Sequence, residues 1–235
     1  LPSDWSAAGT GWNGWLNSEE YPLITDPPSG RLWSANARLV EGPMLDKIGD
    51  GGYDLGARAK QIRDDLFERQ HFSPADMLAI QLDDRALFLS RWRALLDETV
   101  KQGKAEPWRT EMRQAMRDWD GYASTDSVAY RLAREFRQEV IRTVLDGFAA
   151  AVRIKYPSFM LPKLNQAEHA VWMLVQTRPP HLLPSIYADW QDMLDSCARR
   201  LAERMRGQAG GIGARTWGER NTASIRHPVS RNLPG

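Results

Sequence analysis

A single cysteine, Cys197, stands in 235 residues. That scarcity excludes an internal disulfide framework and any zinc site built on cysteines. It leaves the compartment open, because many exported proteins also lack disulfides. No apolar run approaches the roughly 18 residues that a membrane-crossing helix needs, so no membrane span is expected. An excess of either charge is missing too: 31 Lys and Arg face 30 Asp and Glu, a formal net charge of +1. Nucleic-acid binding draws its affinity from a cationic surface, and none is offered. Arg63, Arg69, Arg85, Arg91 and Arg93 are interleaved with Asp64, Asp65, Glu68, Asp83 and Asp84, which cancel them. Disorder is excluded by what is plentiful, since disordered chains are poor in aromatics. Ten tryptophans and 42% hydrophobic residues supply a sizeable core for one large domain or two small ones.

Most enzyme templates are absent as well. The chain has no Gly-x-Ser-x-Gly elbow, no His-Glu-x-x-His and no Walker loop. Histidines 71, 169, 181 and 227 are scattered without ligand spacing. Asp118-Trp119-Asp120-Gly121 starts like a calcium loop but lacks its later ligands and closing Glu, which favours helix capping. Asp83-Asp84-Arg85 reads as an ion pair inside a helix. Cys197 falls on an apolar helical stripe, where a buried inert thiol is the ordinary reading.

What is present divides the chain into three segments, 1–52, 53–206 and 207–235. In the first, Trp5, Trp12, Trp15 and Trp33 sit among glycines and prolines without helical spacing. Tyr21-Pro22-Leu23-Ile24 and Arg31-Leu32-Trp33-Ser34-Ala35 are bounded by turn residues and read as short strands. The tryptophans either fill a core beneath a sheet or form a stacking surface for sugars.

From Asp54, a good N-cap, Leu55, Ala59, Ile62 and Leu66 keep helical spacing. Ser73-Pro74-Ala75-Asp76 combines an N-cap, a first-turn proline and an acid at N3, opening a helix to about Leu96. Pro107 opens another, with Trp108, Met112, Ala115, Met116 and Trp119 on one stripe. Asp126 or Ser127 opens the longest, in which Leu132, Phe136, Val140, Val144, Phe148 and Val152 hold the period until Tyr156-Pro157. Asn165 caps a helix over about 166–176, and a last one carries Ile186, Trp190, Met193, Leu194, Cys197 and Leu201. Short loops and broad stripes predict a bundle-like array. The glycine-rich run 207–213 reads as a flexible link, and Thr216-Trp217 and Ser224-Ile225-Arg226 as returning strand pieces. The expected class is α+β and predominantly helical: a helical subdomain over 53–206 inserted between two strand segments.

Three stretches carry a more specific signal. The first is Gly30-Arg31-Leu32-Trp33-Ser34-Ala35-Asn36-Ala37-Arg38. The second is Tyr53-Asp54-Leu55-Gly56-Ala57-Arg58-Ala59-Lys60-Gln61-Ile62, followed by Ser73 to Asp83 with Asp76-Met77-Leu78-Ala79-Ile80-Gln81-Leu82-Asp83. The third is Thr216-Trp217-Gly218-Glu219-Arg220-Asn221 with Ile225-Arg226-His227-Pro228-Val229. In this order they resemble the penicillin acylase family of N-terminal nucleophile hydrolases, while the helices between about 97 and 205 carry little of the likeness.

The resemblance implies that the flanking strands belong to an αββα core and that the parent protein hydrolyses N-acyl amides, penicillins or acyl-homoserine lactones. In the family the nucleophile is a serine at the N-terminus of the mature large subunit, exposed when the precursor cuts itself. The serine's α-amino group is the base, and backbone N–H groups with one Asn side chain hold the oxyanion.

Asn36 matches that asparagine, and Arg58 matches an arginine that orients the nucleophile and the Asn. Read without the family, Asn36 is a turn or strand-end residue and Arg58 a helix surface charge. The family's second Asn is Ala37 here. Catalysis needs no cofactor; a structural calcium is the one metal implied, with Asp46 and Asp50 as its candidate carboxylates. The chain begins Leu1-Pro2 and contains no Gly-Ser-Asn processing site. It therefore reads as a middle fragment of the large subunit, inactive alone, whose partners are the rest of that subunit and the small subunit, in a periplasmic enzyme. The competing expectation is a non-enzymatic helical module with an aromatic face for a glycan or a partner protein. A family relative without activity is a third.

Overall fold

A computed structural model describes residues 6, 14–49, 51–162, 164–223 and 225. Two compact units emerge, one of Leu1–Ile80 with Leu164–Gln166, the other of Gln81–Lys163 with Ala167–Gly235. In the first unit α1 (Pro43–Ile48) and α2 (Ala57–Phe67) are joined to extended chain, and α3 (Pro74–Gln81) follows. Ser73 and Asp76 form the reciprocal cap that their spacing predicts. Asp76 N–H donates to Ser73 Oγ at 3.3 Å, and Ser73 N–H and Oγ–H donate to Asp76 Oδ2 at 2.9 and 2.7 Å.

The second unit is the bundle. It contains α4 (Ser90–Lys101), α5 (Pro107–Met116), α6 (Val128–Lys155), α7 (Glu168–Thr177), α8 (Trp190–Arg206) and the single turn α9 (Trp217–Arg220). The long α6 packs on α4, α5 and α8. Its stripe of Leu132, Phe136, Val140 and Val144 is buried together with Trp92, Leu96, Met112, Met193, Leu194 and Leu201. Each of these large side chains contributes about 1.5–3 kcal/mol by leaving water. Ser127 Oγ caps α6 by accepting from Tyr130 N–H at 3.1 Å, and Asp189 Oδ1 caps α8 by accepting from Asp192 N–H at 2.8 Å.

Glu168, in the first turn of α7, is buried with three donors on its carboxylate: Arg91 Nη2 at 2.9 Å, Trp92 Nε1 at 2.6 Å and Arg137 Nε at 2.6 Å. Both guanidinium groups lie over the Phe88 ring, at 4.7 and 5.4 Å from its centroid. A buried charge needs such partners.

Several expectations are corrected. Among the described residues there is no strand, only an isolated antiparallel bridge between Arg85 and Tyr122. Tyr21–Ile24 and Arg31–Ala35 are extended at most, because no facing backbone among the described residues forms a ladder with them, and β-pattern alone does not make a strand. The flanking strands of an αββα core are accordingly not seen. Thr216 is the N-cap of α9 rather than a strand residue, its hydroxyl accepting from Glu219 N–H at 3.2 Å. Ser224 and Arg226 lie outside the described residues.

The helix expected over 73–96 is two helices. Asp83 draws the Arg85 N–H and guanidinium to its carboxylate at 2.8–3.0 Å, while Ala86 N–H and Asp84 C=O bond to Gly121 and Ala123 instead of to a helical turn. Asp83-Asp84-Arg85 is thus an ion pair in a helix break. The last helix begins at Trp190, not at Ile186, which is 80% exposed. The run 207–213 is folded: Ile212–Ala214 makes a 3₁₀ turn and the Ile212 side chain is buried in the core.

Candidate functional site

The chain around Asn36 is shaped by its neighbours in the first unit. Gly30, at φ 62°, closes a turn whose N–H bonds to Pro27 C=O at 2.8 Å. Arg31 then reaches the carbonyls of Leu66 and Arg69 at the end of α2 and stacks 5.2 Å from the Phe67 ring centroid. Cations suit a helix C-terminus, where the last carbonyls have no helical donor. Trp33 meets the same ring edge-on at 5.9 Å.

Downstream, Ala37 is buried and Asn36 adopts a left-handed backbone at φ 58°. Asn accepts that conformation more readily than any other residue with a β-carbon except Asp and His. The buried Ala37 methyl occupies a place where a second asparagine amide would need hydrogen-bond partners.

Arg58, on the first turn of α2, donates from Nη2 to Asn36 Oδ1 at 3.2 Å and to the Ala35 carbonyl at 3.3 Å. Asp54 stands 3.8 Å from Arg58 Nη2, and its N–H donates to the Asn36 carbonyl at 2.9 Å. A guanidinium has donors only, so the amide end facing Arg58 is necessarily the oxygen. The Nδ2 protons of Asn36 therefore face away from Arg58. Asn36 is exposed, and no described residue takes those protons. The arrangement can present a neutral, pre-aimed N–H pair to an oxygen that becomes negative. The two residues singled out from the sequence, 22 positions apart, are thus brought together.

Three further residues bear on the loop, none of them marked from the sequence as a site residue. Asn165 Nδ2 donates to Gly52 C=O at 2.9 Å, and Gln166 Nε2 donates to Tyr53 C=O at 3.4 Å. Gln166 Oε1 accepts from Arg38 Nη2 at 2.7 Å. Asn165 is not the cap of α7; Ala167 holds that position, without a side-chain bond. Nothing in a local sequence pattern reveals bonds across 113 residues.

The remaining candidates separate from this site. Asp46 is exposed on α1, and Asp50 lies outside the described residues. Among the described residues no three His, Cys, Asp or Glu side chains gather as a cation would require. Trp15 is 99% exposed while Trp33 packs on Phe67, so these two do not form one stacking face; Trp5 and Trp12 lie outside the described residues.

Cys197 is buried, and that burial pushes its thiol up, against hydrogen bonding with Thr143 Oγ1 at 3.4 Å. Thr216-Trp217-Gly218-Glu219 is a structural clasp. Trp217 N–H donates to Ser127 C=O at 3.0 Å, Gly218 N–H donates to Thr125 C=O at 2.6 Å, and Trp217 meets Tyr130 edge-on at 5.0 Å. His227, Pro228 and Val229 lie outside the described residues. Among the described residues no helix is long and apolar enough to cross a membrane.

A family model described as penicillin amidase matches residues 1–235. The chain is also 26% identical, over 223 residues, to the penicillin acylase 2 proenzyme of Pseudomonas sp. (strain SE83), an alignment covering 95% of this chain and 28% of that protein. It thus spans less than a third of that relative's length.

Proposed function

The chain belongs to the penicillin amidase family, and from that premise we propose that the whole protein is an acyl-amide hydrolase to which these residues contribute an oxyanion donor. The reaction begins with a serine hydroxyl at a mature N-terminus attacking the amide carbonyl, with the serine's own α-amino group taking the proton. The chain spans 28% of the Pseudomonas relative's length, which supports a serine supplied by another part of the protein. The carbonyl oxygen becomes negative as the tetrahedral intermediate forms. Asn36 Nδ2 then donates to it, beside backbone N–H groups. Arg58 holds the amide so that Nδ2 and not Oδ1 meets the charge. Collapse of the intermediate expels the amine, and water releases the acyl group.

The observation that carries this reading is the Arg58 bond to Asn36 Oδ1, because it leaves the donor end of an exposed amide outward without later reorganisation. Membership supports an N-acyl amide as substrate, and the name of the Pseudomonas relative supports a penicillin as its type. That relative is a proenzyme, which supports self-cleavage of a precursor into a small and a large subunit. Periplasmic residence belongs to the same reading.

The test is the full-length precursor with and without Asn36→Ala, assayed for amine release from phenylacetyl and long-chain acyl aryl amides. With chain cleavage intact, the variant should lose on the order of 10²–10³ in kcat, the typical cost of one oxyanion donor. Equal activity in both proteins would leave Asn36 a structural residue.

A further inference from the structure

Asn36 holds an uncommon backbone conformation on an exposed loop, so something must keep it there. Arg58 fixes only the amide and one neighbouring carbonyl. The loop's other support is the segment 52–54. Asp54 N–H donates to the Asn36 carbonyl at 2.9 Å, and the two peptide carbonyls just before it are held by Asn165 and Gln166 at 2.9 and 3.4 Å. Gln166 also grips the loop from its far side, through Arg38 at 2.7 Å, two residues past Asn36. Gly52 sits at φ 92°, a backbone conformation that residues with a β-carbon rarely adopt. A carboxamide suits this task, since one side chain donates to a carbonyl and accepts from a guanidinium at once.

We infer that Asn165 and Gln166, which return to the first unit after the helices between, are positioning residues for the Asn36 oxyanion donor. The inference rests on the reading of Asn36 given above. The pair touches no substrate in this account. It acts by fixing the 52–54 segment, and through it the direction in which Asn36 Nδ2 points. A donor displaced by about 1 Å can cost on the order of 100-fold in rate. The oxyanion exists only in the transition state, so the loss falls on kcat and leaves KM in place.

The experiment uses the self-processed full-length enzyme and a chromogenic aryl amide, measuring kcat and KM for Asn36→Ala, Asn165→Ala, Gln166→Ala and the Asn36→Ala/Gln166→Ala double variant. The expected result is a fall in kcat of roughly 10- to 100-fold for Asn165→Ala and Gln166→Ala, with KM within about twofold. In the Asn36→Ala background the Gln166 penalty should vanish, because the group it positions is gone. A Gln166 penalty that persists undiminished without Asn36 would overturn the inference while leaving the oxyanion role standing. An Asn36→Ala enzyme with unchanged kcat would instead remove that role, and the inference with it. Should Gln166→Ala fail to process, Gln166→Glu serves. It keeps an acceptor for Arg38 and removes the donor to Tyr53 C=O, setting a carboxylate in its place. A processed Gln166→Glu enzyme with wild-type kcat overturns the role of Gln166.

Discussion

Replacing Glu168 by Gln tests whether the helical unit is held by its buried charges as well as by its apolar core. The wild-type carboxylate is 1% exposed and receives two guanidinium groups, Arg137 at 19% exposure and Arg91 at 33%. Gln keeps the volume but removes the charge, and its NH₂ end must face one of the donors. With NH₂ in place of Oε2, Arg137 loses its acceptor; with NH₂ in place of Oε1, Arg91 and Trp92 Nε1 lose theirs. Breaking a fully buried pair costs about 3–5 kcal/mol, and the partial exposure of Arg91 places the loss near the lower bound. For a chain of this size about 3 kcal/mol lowers Tm by about 6–12 °C. Thermal and urea unfolding followed by tryptophan fluorescence would read the change, since Trp92 and Trp172 stand together at 5.0 Å beside the carboxylate. A Glu168→Gln protein whose unfolding midpoints match the wild type would refute the reasoning, and would assign this layer to packing alone.

Other expectations follow from single contacts. Gly218→Ala should destabilise by about 1–3 kcal/mol, since its β-carbon would stand 2.8 Å from Thr125 C=O; urea unfolding checks it, and an unchanged midpoint counts against the clasp. Cys197 should resist a thiol reagent in the native protein at pH 8 and react once urea unfolds it, because burial holds the thiol protonated and out of reach. Asp76 has its carboxyl lowered first by Ser73 N–H, then by the Ser73 hydroxyl, with Arg69 assisting. A lowered folded-state value contributes stability above the ordinary aspartate range, lost as pH falls through that lowered value. The stability gap between wild type and Asp76→Asn should therefore be full at pH 6 and shrink toward pH 3. A gap independent of pH would contradict the cap.

The helical stripes were legible because their information is local. Leu132, Phe136, Val140 and Val144 repeat every four residues, and all four are buried. The same holds for Trp108, Met112 and Met116 on α5. Phe148 and Val152 continue the α6 period yet are 42% and 38% exposed, because period marks a face and not its cover. The strands expected from the sequence are absent among the described residues for the opposite reason. A short apolar run such as Tyr21–Ile24 becomes a strand only through its partner, and no local feature of the run supplies one.

The helix break at Asp83-Asp84-Arg85 depends on Gly121 and Ala123, nearly forty residues on, so a window centred on the break does not contain its cause. The candidate site divides in the same way. Asn36 and Arg58 came from a motif and meet in space, while Arg38, Asn165 and Gln166 are joined by bonds spanning 113 and 128 residues. Asn165 read as a helix cap because Asn is a good one; its amide instead spends its donor on Gly52.

The central claim is that Asn36 binds charge developing in the transition state rather than the ground-state amide. The most direct measurement compares the processed full-length enzyme with its Asn36→Gly variant, which keeps the left-handed loop while deleting the donor. For both, the inhibition constant of a boronic-acid analogue of the tetrahedral intermediate is set beside the KM of the matching amide. The account predicts that the analogue binds roughly 10²–10³-fold more weakly to the variant while KM changes little. Equal weakening of analogue and amide, or no weakening of either, would contradict it.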